Sequence, residues 1–150
     1  MKHITLKVSE IEVSYRPAIG RKPVIISGLD AYTELINFFP TETIALQETF
    51  VVMYLNRANR VLGIYPMSKG GITGTVVDIR LLMSVALKVA ATSIILAHNH
   101  PSGNLQPSMQ DQELTKKIVE DCKYFDIAVT DHLIISHEGD YYSFADNRLL

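Results

Sequence analysis

At 150 residues, with 47% hydrophobic and 20% charged side chains, the chain falls in the single-domain range and has enough apolar material for one buried core. Its 14 basic and 16 acidic residues leave a formal charge of -2, which argues against a surface whose affinity comes from phosphate contacts, so a DNA partner is unsupported by charge. The lone cysteine, Cys122, excludes an internal disulfide and every zinc site built on two or more thiolates, which leaves histidine and carboxylate as the available metal ligands.

The N-terminus, MKHITLKVSE, alternates polar and apolar residues and lacks the continuous apolar core of a secretion signal, so a cytoplasmic location is expected. Ile4, Leu6 and Val8, followed by Ile11, Val13 and Tyr15, keep a period of two and predict a strand or hairpin, which Pro17, Gly20 and Pro23 then interrupt. Residues 1–27 are accordingly expected to be a strand-and-turn extension, with the domain proper over 28–150. Asp30 is the expected N-cap of a helix over 31–38, with Leu35, Phe38 and Phe39 supplying an apolar face before Pro40 stops it.

Residues 47–55 are rich in β-branched and aromatic side chains, and Asn56-Arg57-Ala58-Asn59 separates them from a second such run at 60–67, which predicts a hairpin. Ser68-Lys69-Gly70-Gly71 and Gly74-Thr75 mark a loop, after which Asp78 can cap a helix with Ile79, Leu82, Met83, Ala86, Val89 and Ala90 at helical spacing. The stretch 81–97 is the most apolar of the chain, but it is shorter than the ~20 residues a membrane span needs and carries Lys88 in its middle, so it reads as a helix followed by a buried strand at 93–97. That strand runs straight into His98-Asn99-His100-Pro101-Ser102-Gly103. A third helix is expected over 109–124, with Leu114, Ile118 and Cys122 four residues apart, and a last strand over 133–136. The alternation of strands and helices predicts an α/β fold, a sandwich around a mixed sheet.

Side chains two apart in an extended segment point the same way, so His98 and His100 can offer nitrogens to one point while Asn99 faces elsewhere. Pro101, Gly103 and Pro107 turn the chain, and Asp111, on the first turn of the next helix, can return a carboxylate to the same place. Two histidines and one carboxylate leave the fourth position of zinc open for water, the arrangement of a catalytic site. Other readings stand beside these. An H-x-H pair is common in loops that bind no metal, and Ser108-x-x-Asp111 also fits a capping box that merely starts the helix. Glu48 opens a core strand and is a candidate proton acceptor, but a glutamate there is more often solvated.

His98-Asn99-His100-Pro101-Ser102-Gly103, then Pro107-Ser108-x-x-Asp111, resembles the metal motif of the JAMM metalloproteases, the JAB/MPN superfamily. Within that superfamily the chain most resembles the bacterial RadC group, since Gln47-Glu48-x-Phe50, Asp131-His132-x-Ile134-Ile135 and Tyr142-Ser143-Phe144 also fit. The likeness runs from about Asp30 to Phe144. It implies a three-layer α/β/α sandwich related to the cytidine deaminase fold, with zinc held by His98, His100 and Asp111, Glu48 as general base toward the attacking water, and Ser108 as hydroxyl donor to the oxyanion. The implied reaction is hydrolysis of a peptide or isopeptide amide in a peptide or protein substrate. Asp131 and His132 belong to the pattern without an assigned chemical role, and Cys122 reads as core. Full-length RadC proteins also carry a helix-hairpin-helix region, for which residues 1–27 offer no counterpart, and this weakens an inherited DNA role. Two alternatives remain: a nucleobase deaminase, which would need H-x-E and P-C-x-x-C, and a DNA repair accessory or binding module with a retained zinc site.

Overall fold

A computed structural model describes residues 5–71 and 76–150, so Ile4 and the Gly74-Thr75 part of the expected loop lie outside the described residues. The hairpin forms as its composition predicts: β1 (Thr49–Leu55) pairs antiparallel with β2 (Val61–Lys69). On its other side β1 pairs antiparallel with β3 (Ser93–Asn99), and every residue of both strands is buried. A strand covered on two faces accepts apolar residues at consecutive positions, which is why β3 reads as an unbroken run. Helix α2 (Ile79–Lys88) is capped by the Asp78 carboxylate and buries Leu82, Met83 and Ala86. It ends where Ala90 takes φ 55°, in the left-handed region that terminates helices.

Beyond β3, helix α3 (Met109–Lys123) crosses over to β4 (Ala128–Ile135), which lies parallel to β3, and a short β5 (Tyr141–Ser143) closes the order β2-β1-β3-β4-β5. The sheet of the described residues is therefore mixed. Alternate side chains feed two cores. Val51, Met53 and Leu55 meet α1 (Gly28–Leu35) through its Ala31 and Leu35, while Phe50, Val52 and Tyr54 meet α2 and α3 on the opposite face. The result is the expected three-layer α/β/α sandwich. Among the described residues no helix is long and apolar enough to cross a membrane.

Three expectations are corrected. Residues 5–18 form no strand, and Leu6, Val8, Ile11 and Val13 are exposed. Their alternation defines a face, but a strand also needs a partner ladder. The Tyr15 hydroxyl ties the segment to the hairpin by donating to the Leu62 carbonyl, and further on Val24 forms an isolated bridge with Arg60, but neither amounts to a ladder. Helix α1 starts earlier than predicted because Ser27, not Asp30, is its N-cap, and residues Ile36–Phe38 tighten into a 3-10 turn. The last strand is not 133–136: β4 begins at Ala128, and β5 follows it.

Candidate metal centre

The site gathers at the C-terminal end of β3, where the loop to α3 leaves the sheet. His98 lies on the α3 face of the strand, in line with Ile94 and Leu96, and His100 follows just past its end. Gly103 adopts φ 84° and donates its N–H to the His100 carbonyl at 3.0 Å, closing a turn that a residue with a Cβ would strain. This turn lets the chain double back so that the first turn of α3 faces the histidines. There Ser108 caps the helix, its Oγ accepting from Asp111 N at 3.0 Å, while Ser108 N donates to Asp111 Oδ2 at 2.8 Å. The capping box is thus complete, and the same carboxylate lies 3.3 Å from His98 Nε2 through Oδ1 and 3.1 Å from His100 Nε2 through Oδ2. Capping and convergence on the histidines coexist in Asp111.

The two Nε2 atoms are 3.0 Å apart, and the donor atoms of Glu48, His98, His100 and Asp111 all fall within 4.8 Å of one another. Metal bonds of ~2.0–2.2 Å in a tetrahedron require ligand atoms roughly 3.3–3.6 Å apart, close to the 3.0 to 3.3 Å among His98, His100 and Asp111. Lone pairs and carboxylate oxygens crowded so closely repel unless a cation or protons sit among them, and the set can hold a metal ion. Glu48 Oε1 is 3.7 Å from His98 Nε2, a little outside that triangle. The electrostatics agree. Burial pushes the Asp111 carboxyl up, but hydrogen bonds with His100 and His98 outweigh it and hold the group well below the usual carboxylate range. Burial would lower His100, yet Asp111 and the Asn104 carbonyl raise it, whereas burial raises Glu48 against the opposing pull of His98 and His100.

Glu48 reaches the site through strand register and one buried amide. Phe50 pairs with His98 across β1 and β3, so continuing the antiparallel register two residues brings Glu48 opposite His100. Asn99, facing away from the histidines, accepts from Thr49 N at 2.7 Å and donates to the carbonyls of Ile44 at 2.7 Å and Gln47 at 2.9 Å. It pins both sides of Glu48 to the strand that carries the histidines. Sequence reasoning left Asn99 without a role, although a polar residue ending an apolar, doubly covered strand signals that its groups are satisfied by something specific.

Of the remaining candidates, Cys122 is fully buried in the α2/α3 core beside Met83 and takes no part in the cluster. Asp131 is a buried clamp: it accepts from Ser143 Oγ at 2.7 Å, from Ala145 N at 3.1 Å and from His132 N at 2.7 Å. These bonds hold Phe144 stacked over the His132 ring, centroids 4.6 Å apart. His132 itself lies directly behind the site, its Nε2 2.7 Å from His98 Nδ1. Burial and the nearby His98 keep it well below the usual histidine range.

A family model for the RadC-like JAB domain matches residues 29–149. A UPF0758 protein of Flavobacterium johnsoniae is 45% identical over 128 residues, covering 83% of this chain and 53% of that protein. A UPF0758 protein of Porphyromonas gingivalis is 42% identical over 143 residues, covering 95% of this chain and 63% of that protein. For a relative from Photorhabdus laumondii the identity is 44% over 92 residues, 61% of this chain and 40% of that protein. The chain spans about half the length of the curated relatives it matches. With all four donor side chains inside the matched segment and a mixed-sheet α/β fold around them, the chain belongs to the RadC-like JAB domain family.

Proposed function

We propose that the protein is a zinc-dependent hydrolase of the JAMM type, cleaving a peptide or isopeptide amide bond in a peptide or protein substrate. The observation that carries this reading is the convergence of His98 Nε2, His100 Nε2 and Asp111 at 3.0 to 3.3 Å, with the Glu48 carboxylate just outside at 3.7 Å. Three close donors suit the ligands of an open catalytic site, and the displaced fourth suits a base. Two imidazoles favour a transition metal such as zinc over magnesium or calcium. When bound, zinc supplies a Lewis acid that acidifies water to a pKa of about 7 and polarises a carbonyl.

The chain's own groups perform the rest. Glu48, buried and with its pKa raised, accepts a proton from the attacking water and returns it to the leaving amine. Its raised pKa makes it a better proton acceptor than a solvated carboxylate would be. Ser108 Oγ already accepts one hydrogen bond from Asp111 N, so its own proton remains available to donate to the oxyanion that develops on the substrate. The position of Ser108 is fixed by the helix cap, so little reorganisation is needed when charge appears.

Purified wild type and Glu48→Gln are to be compared for bound zinc and for cleavage of a panel of peptides and ubiquitin-like conjugates. The expected result is one zinc per chain in both, with cleavage reduced about 10²–10⁴-fold in the variant. Equal cleavage by the two would refute the base assignment, and a wild type with no zinc affinity at neutral pH would refute the reading as a whole.

A further inference from the structure

His98 and His100 both aim Nε2 into the cluster, but their rings are held from behind in different ways. Behind His100 stands a backbone carbonyl: Nδ1 lies 2.6 Å from Asn104 O. A carbonyl can only accept, so His100 must carry a proton on Nδ1, and Nε2 is the nitrogen it offers to the cluster. Behind His98 stands another imidazole, 2.7 Å from its Nδ1 to His132 Nε2. An imidazole nitrogen can donate or accept, so this contact alone does not decide which nitrogen of His98 is protonated.

The decision comes from one step further back. Thr115, fully buried in α3, donates its hydroxyl to the Asp111 carbonyl at 2.6 Å, and its oxygen lies 2.6 Å from His132 Nδ1. With its only proton committed to the carbonyl, the threonine oxygen must accept from His132, which puts the His132 proton on Nδ1. The His132 ring is completely buried and hydrogen-bonds to Thr115 and His98, neither of which is an anion, so a second proton on Nε2 would place an uncompensated charge in the core. His132 Nε2 therefore accepts and His98 Nδ1 donates, which makes Nε2 the His98 nitrogen that faces His100 and Asp111 and is available to a cation. Ring rotation cannot easily undo this order. Phe50 stacks on His98 with planes 8° apart, and Phe144 stacks on His132 with planes 19° apart.

We propose that Thr115 and His132 form a positioning relay that fixes the tautomer of His98 and so prepares its Nε2 to ligate a metal ion, an inference that rests on the reading of His98 as a ligand. The relay starts at the Asp111 carbonyl and ends at His98, so it joins two of the three ligand positions through a single line of hydrogen bonds. Partners of this kind, one shell behind a metal ligand, orient the ring and raise its basicity.

The test uses two readouts. Long-range ¹H–¹⁵N NMR of the metal-free wild type reads the tautomer directly, and zinc affinity is measured by competition with a chromophoric chelator for wild type, Thr115→Val and Thr115→Ser. Expected are a protonated Nδ1 at His98, zinc binding weakened about 10–100-fold in Thr115→Val, and binding restored in Thr115→Ser, which keeps the hydroxyl. A His98 protonated on Nε2 alone in the wild type would overturn the proposal, as would a folded Thr115→Val that binds zinc within twofold of wild type. Should Thr115→Val fail to fold, the wild-type tautomer alone decides. A wild type that binds no zinc but shows the expected tautomer would refute the ligand reading while leaving the relay intact, so the two failures are distinguishable.

Discussion

Replacing Asn99 by leucine keeps the side chain's approximate shape and removes three hydrogen bonds at once. Thr49 N–H and the Ile44 carbonyl, both on buried residues, lose their partner, as does the Gln47 carbonyl, which is half-buried and can recover water. At ~1–3 kcal/mol for each buried group left unsatisfied, with the Gln47 carbonyl discounted, the cost is about 2–6 kcal/mol. That is a large share of the ~5–15 kcal/mol that holds a typical domain folded. At ~2–4 °C per kcal/mol for a chain of this size, the melting temperature should fall by on the order of 10 °C. Urea unfolding followed by circular dichroism measures the free energy, and amide exchange at Thr49 reports the local loss. A variant within about 1 kcal/mol of wild type by urea unfolding, with Thr49 still protected, would show that Asn99 is not the pin that holds Glu48 against β3.

Three further outcomes are expected. Ser108→Ala and Ser27→Ala each remove an N-cap and should each cost about 1 kcal/mol in urea unfolding, but only Ser108→Ala should slow cleavage; full activity there would remove Ser108 from the reaction. Burial pushes the Cys122 thiol up to about 11, so a thiol reagent should label the native chain only on the timescale of unfolding and label one thiol at once in denaturant; rapid native labelling would contradict the α2/α3 packing. Burial raises the Asp131 carboxyl above 3.8 despite bonds from Ser143, Ala145 and His132, so the folded chain keeps this proton to higher pH than the unfolded chain. Its stabilising contribution is then full below 3.8 and lost as pH climbs through the raised value. The stability of wild type relative to Asp131→Asn should decline as pH rises from 3.8 through the raised folded value, and a flat difference would show that the carboxyl is not shifted upward.

What the sequence disclosed depended on how local the determining physics was. The buried strand β3, the helix α3 and the hairpin of β1 and β2 were legible because each is set by composition and periodicity within a short window. The N-terminal alternation of Leu6, Val8, Ile11 and Val13 was equally clear and misleading, since a strand is completed by a neighbour that local pattern does not supply. The three residues of β5 are too few to establish a period. Ser-x-x-Asp shows the same limit at the site. It occurs at Ser27-Asp30, Ser108-Asp111 and Ser143-Asp146, and the first two serines cap helices, but only Asp111 faces two histidines. Its neighbours make the difference, and they arrive from β3. Asn99 and Thr115 escaped notice because their partners are far along the chain, at Thr49 and His132, so only the folded register reveals what they hold.

The proposed hydrolysis requires a metal ion seated among His98, His100 and Asp111. Crystals grown with one equivalent of zinc, with anomalous differences collected on either side of the zinc edge, test that most directly. The predicted result is a single strong peak ~2.0–2.2 Å from His98 Nε2, His100 Nε2 and an Asp111 oxygen, with Glu48 beyond bonding distance. No peak at that position, or a peak held by other residues, would contradict it.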